Sequence, residues 1–162
     1  MSQRIVINPQ LFARDAASQH GDLNLVELTR VLDMLTVADG VVRYELHGKM
    51  SSSKRPQLLL GLEGSLFVRC ERCLEGVEYP LDIQRLLEFV SDEELTQDEI
   101  EDDSKDFLPV ESELDVVALI EDEIILDLPP APRHESCVVP DAGQSTESLS
   151  PFSVLKGFLN KA

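Results

Sequence analysis

Tryptophan is absent from this chain of 162 residues, and six phenylalanines and two tyrosines are its only other large aromatics. A core built from it must rest on leucine, valine and isoleucine. Basic residues are scarce: 14 lysines and arginines stand against 31 aspartates and glutamates, a net charge of −17. No apolar run approaches the roughly 18 residues that a membrane-spanning helix needs. The N-terminal MSQRIVINPQLFAR has neither a long apolar stretch nor a small-residue cleavage site. A soluble cytoplasmic protein is expected. Cysteines number only three, an odd count that excludes a disulfide-dense scaffold and predicts reduced thiols. A phosphate-cradling glycine loop, a Walker-like lysine and a Ser-His-Asp set are also missing, so no enzyme is expected.

What is present is unevenly spread. Residues 91–127 hold 16 acidic residues and one basic residue, Lys105, so nearly the whole excess charge lies in one segment. An acidic block repels phosphate and attracts basic proteins, of which ribosomal proteins are an abundant class. Asp98, Glu99, Glu101, Asp102 and Asp103 are the candidates for such contact. The same composition also suits a solvating, disordered insertion over 91–111.

Apolar periodicity outlines the elements. Arg4–Asn8 reads as a strand ended by Pro9. Asn24, followed three residues later by Glu27, resembles a capping box. Leu25, Leu28, Val31, Leu32 and Leu35 recur at helical spacing, which predicts a helix over 24–36. Val42, Tyr44 and Leu46 alternate with polar residues in a strand over 41–50. QLLLGLEGSLFVR (57–69) is a long strand whose two glycines suggest a bulge or bend. VEYPLDIQRLLEFV (77–90) returns as another, with Pro80 at an edge or irregular position. The three strands predict an antiparallel meander. A second helix is expected over 113–128, capped by Ser112 or Asp115 and stopped by Pro129 and Pro130. Its terminal Glu121, Glu123 and Asp127 oppose the helix dipole. Residues 138–150 read as a flexible linker and 151–162 as a short amphipathic helical tail.

All three cysteines fall into two tight pairs. Cys70-x-x-Cys73 sits at the expected hairpin tip, and His134-x-x-Cys137 lies 60 residues further on. Thiolates and imidazole in two closely spaced pairs are zinc-ligand chemistry, and a hairpin tip is a natural zinc knuckle. A structural zinc is therefore one reading of Cys70, Cys73, His134 and Cys137. A thiol redox pair is another, although thioredoxin-type pairs open a helix and a strand follows here. Thiols at a turn with no bound ligand are the third. His20 and His47 stand apart from the set. A modest basic face that contacts RNA would draw on Lys49, Lys54, Arg55, Arg69 and Arg72.

The combination of FVRCERCLEGVEYPL, EDEIILDLPPAPRHESC and the terminal PFSVLKGF resembles the bacterial YceD-like family, the large ribosomal RNA subunit accumulation proteins. The resemblance runs from the N-terminal strand to the tail. It implies a non-enzymatic ribosome-biogenesis factor that supports synthesis, processing or stability of large-subunit (23S) rRNA. No catalytic residue is implied; within that role the charge pattern leaves two partners, precursor rRNA or a basic ribosomal or processing protein. The alternative function is a zinc-binding or thiol redox protein that uses the cysteine set directly. The expected fold is a single α+β domain over 1–137: an antiparallel sheet, perhaps curled toward a barrel, carrying two main helices.

Overall fold

A computed structural model describes residues 4–95 and 105–139. The fold is α+β. A five-stranded sheet runs in the order β2-β3-β4-β5-β6, built from β2 (Ser18–Asn24), β3 (Val41–Met50), β4 (Pro56–Arg69), β5 (Gly76–Val90) and β6 (Asp106–Pro109). β2 and β6 remain edges, so the sheet is open and the barrel is not formed. A two-stranded ribbon, β1 (Val6–Ile7) with β7 (Leu114–Asp115), ties the N-terminus to the segment before the last helix. The helical pieces are α1 (Pro9–Arg14), a 3₁₀ turn (Leu25–Glu27), α2 (Thr29–Leu32), α3 (Asp92–Leu95) and α4 (Val116–Asp127).

The β3–β4–β5 meander follows directly from alternation. Val42, Tyr44 and Leu46 face the core beside Leu58, Leu60 and Leu62 of β4 and Ile83 and Leu87 of β5, and all are buried. Registers stay constant through Gly61 and Gly64, so the expected bulge does not occur. A different glycine is the one that close packing requires. A Cβ on Gly48 would collide with the Phe12 carbonyl oxygen, because α1 lies directly against β3.

One expectation needs correction. The helix over 24–36 is instead a 3₁₀ turn and the single turn α2. Leu28 leaves the helical region at φ −90°, ψ 74°, while Leu25 N–H bonds the Gly40 carbonyl and Leu35 bridges Val68. The periodicity marked burial rather than a continuous helix: Leu25, Leu28, Val31 and Leu35 are all buried. The cap signal is real, since the Glu27 carboxylate accepts the Asn24 backbone N–H at 3.0 Å. The acidic stretch 91–111 is described at its two ends, which form α3 and β6. β6 pairs with β5 in parallel, which makes the sheet mixed. β2 is a strand that periodicity did not mark.

The helix expected over 113–128 is α4. Asp115 caps it, accepting the Val117 and Ala118 N–H groups at 3.0 and 3.3 Å. Val116, Ile120 and Ile124 pack into the core against the sheet. The carboxylates that oppose the dipole have partners elsewhere. Glu121 accepts the Arg30 backbone N–H at 2.7 Å, satisfying an otherwise orphaned donor in the first turn of α2. Glu123 and Asp127 meet Arg85 at 3.5 and 3.3 Å, and Tyr79 donates to Asp127 at 2.8 Å. α4 is thereby stitched to both α2 and β5.

Candidate metal centre

The β4–β5 hairpin turns through Cys70-Glu-Arg-Cys73-Leu-Glu. Cys70 N–H bonds the Glu75 carbonyl at 2.9 Å, and Leu74 N–H returns to the Cys70 carbonyl at 2.9 Å. The turn needs a left-handed residue, and Leu74 supplies it at φ 67° although it is not glycine. This geometry aims Cys70 inward, fully buried, with Cys73 beside it.

The second half-site is delivered by the chain beyond α4. Pro129 and Pro130 end the helix and send the segment back across the hairpin. Glu71 N–H bonds the Pro132 carbonyl at 2.9 Å, and the Arg72 guanidinium reaches the Cys137 carbonyl at 3.4 Å. These two contacts hold His134 and Cys137 over the turn. The 60-residue gap in sequence closes completely: the ligand atoms of Cys70, Cys73, His134 and Cys137 all lie within 4.8 Å of one another.

The internal spacings suit a tetrahedral ion. Zinc with Zn–S bonds of about 2.3 Å sets S···S edges of about 3.8 Å and S···N edges of about 3.6 Å. Cys70 Sγ and Cys137 Sγ stand 3.8 Å apart, and Cys73 Sγ stands 3.3 Å from His134 Nδ1. The first distance is far beyond a disulfide bond, and all three cysteines are free thiols. His134 Nε2 lies 3.0 Å from the Gly76 carbonyl. A carbonyl only accepts, so Nε2 carries a proton toward it and Nδ1 is the ring atom that faces the thiols.

Electrostatics separate the thiols. Burial works against ionisation of Cys70. Hydrogen bonds from the Cys73 and Arg72 backbone and from His134 outweigh it and bring the thiol down to about 5. Cys137 moves the other way, raised by burial and by hydrogen bonding to Cys70 and Cys73. The set thus places a favoured thiolate, two further thiols and an imidazole at one point, a donor set that can hold a metal ion. Motif spacing found all four residues. It missed the Gly76 carbonyl, Arg72 and the Glu71–Pro132 link, because backbone acceptors carry no side-chain signal.

Of the other candidates, only Arg72 takes part in this cluster. Lys49, Lys54 and Arg69 are exposed. Arg55 is engaged, at 3.3 Å from Glu88 and 2.8 Å from Glu94. Arg72 is occupied by the Cys137 carbonyl. The outward face of the sheet carries the row Asp22, Arg43, Glu63 and Asp82 across four paired strands, with Glu45 and Glu78 on the same face. Asp98, Glu99, Glu101, Asp102 and Asp103 fall outside the described residues, as do most of the linker and the whole of the tail. His47 bonds Ser18 at 2.8 Å, and His20 is exposed. No described helix is long and apolar enough to cross a membrane.

Two comparisons with known proteins, against curated sequences and against solved structures, yield no match. The family model described as "Large ribosomal RNA subunit accumulation protein YceD" matches residues 60–159, a span that includes both half-sites.

Proposed function

The chain belongs to the YceD family of large ribosomal RNA subunit accumulation proteins, and from that premise we propose that it is a non-enzymatic cytoplasmic factor that sustains large-subunit rRNA. It does so by holding a basic ribosomal or processing protein through its acidic segment. The observation that carries the mechanism is the charge: 16 acidic residues against one basic residue over 91–127. The ordered ends of that segment, α3 and β6, support its display from the sheet edge. Direct RNA binding through the sheet is the weaker reading. The outward face mixes Arg43, Lys49 and Arg69 with more numerous carboxylates, and Arg43 is itself paired with Asp22 at 3.5 Å.

Deletion of the gene is expected to lower the large-to-small subunit ratio and raise precursor levels of the large-subunit rRNA. Unchanged values would refute the assignment. Replacing Asp98, Glu99, Glu101, Asp102 and Asp103 by their amides is expected to abolish capture of basic ribosomal proteins at physiological salt. Capture of precursor rRNA that survives this change, falls with salt and depends on Lys49 and Arg69 would favour RNA contact instead.

Within this reading Cys70, Cys73, His134 and Cys137 hold one structural zinc. When bound, the ion joins the hairpin to the proline segment. The donors on this chain set the geometry, Gly76 orients the imidazole and Arg72 fixes the Cys137 backbone. A strong chelator is expected to lower the melting temperature and loosen residues 129–139 in hydrogen exchange. A melting curve indifferent to chelation would count against a structural ion.

A further inference from the structure

Beside the cysteine cluster lies a cleft of about 380 Å³. Met34, Val68, Ile125 and Leu128 line it with apolar surface, and Asp33 and Glu71 set two carboxylates there against the single guanidinium of Arg69. A cleft of this size, part apolar and part charged, can take a ligand or a chain segment. The sequence beyond the described residues offers one. Residues 140–162 divide into a polar stretch, PDAGQSTESLS, and PFSVLKGFLNKA. The second piece concentrates Phe152, Leu155, Phe158 and Leu159, at spacings of three and four. It carries Lys156 and Lys161 and no acid, whereas residues 1–150 carry 12 basic and 31 acidic residues, a net charge of −19.

The route is short. Arg72 holds the Cys137 carbonyl, and its neighbour Glu71, which lines the cleft, is bonded to Pro132. The chain therefore leaves the described fold next to the cleft. The eleven residues 140–150 span up to about 36 Å when extended and about 18 Å as a flexible coil. Tethering at such lengths gives effective concentrations in the millimolar range. Opposite charge at the carboxylates and the two lysines adds to the match.

We propose that the terminal segment 151–162 docks in this cleft of its own chain, covering Met34, Ile125 and Leu128 with Phe152 and Phe158. The chain has three methionines, and Met34 and Met50 are equally exposed at 43 %, Met50 on β3 away from the cleft. Methyl-labelled methionine in the full chain is therefore a self-controlled probe. The Met34 methyl signal is expected to be displaced by ring currents, at every protein concentration. It returns toward the free-methionine position in F152A/F158A, while Met50 stays still. An excess of synthetic peptide 151–162 then restores the displaced Met34 signal in that variant.

Identical Met34 signals in the two full-length proteins would overturn the proposal and leave the cleft to another partner. A displacement that appears only at high concentration would assign the segment to a second copy and overturn it equally. So would a Met50 change as large as that at Met34, or a peptide that restores nothing.

Discussion

Glu88 sits in the sheet with 1 % of its surface exposed, and its carboxylate is shared by Gln57, Arg55 and Lys105. Burial alone would raise its pKa, but these hydrogen bonds outweigh burial and hold it below the ordinary carboxylate value. A carboxylate lowered in this way contributes stability that is present above its unfolded pKa and lost as pH falls through the folded one. Glu88→Gln should therefore cost about 2 kcal/mol at pH 7, less than a fully buried pair because Arg55 and Lys105 stay partly in water. Urea titrations should show the difference shrinking below about pH 4; a difference that persists unchanged in acid would contradict the assignment. Glu123 presents the opposite sign. Burial, then the charge of Asp106, raise its pKa, and Arg85 offsets only part. Its contribution is favourable below the unfolded pKa and lost as pH rises through the raised folded value. Glu123→Gln, permanently neutral, should melt higher than the parent at pH 7 and equal to it near pH 4. A lower melting temperature at pH 7 would show that the Arg85 pair dominates.

At the scale of elements, Gly48 fixes how α1 meets the sheet. Its N–H bonds the Ala17 carbonyl at 2.8 Å while the Phe12 carbonyl occupies the space of a Cβ. Gly48→Ala should cost about 2 kcal/mol through forced displacement of α1, measurable by denaturant unfolding. A neutral result would mean that α1 can shift freely. The same scale shows why some elements were legible and others not. β3 and α4 declare themselves because one face of each is buried, so Val42, Tyr44, Leu46, Ile120 and Ile124 print a period into the sequence. β2 buries only Leu23 and is held by backbone pairing to β3, with Ser18 on His47 and Gln19 on Tyr44. SQHGDLN therefore carries no alternation to read. The 24–36 segment misled for the converse reason. Its leucines are buried by the sheet and α4 from several directions, and the period survives although the helix does not. β6 is four residues in an acidic stretch, and its parallel partner makes it a strand.

Across the whole molecule, the fold class and the order of the long strands were readable, and so was the identity of the four residues that cluster. That the two half-sites meet was not. Their approach depends on the hairpin turn at Leu74, the proline exit from α4 and two contacts that Glu71 and Arg72 make with backbone carbonyls. Pro129 and Pro130 mark the exit in the sequence, but the left-handed turn at Leu74 and the two contacts to carbonyls have no sequence signature. The same topology places β6, which lies within the acidic stretch, at one sheet edge. The cysteine cluster lies at the other end of β5, at its Gly76 terminus, so the metal reading and the charge reading concern different parts of the protein.

We propose that Cys70, Cys73, His134 and Cys137 act together as a single zinc clasp. The direct measurement is zinc per chain in protein purified without an affinity metal, alongside Cys70→Ser and His134→Ala. The prediction is about one zinc per chain in the parent and a loss of it with either substitution, one from each half-site. Well-folded parent protein without zinc, or zinc that survives His134→Ala undiminished, would contradict it.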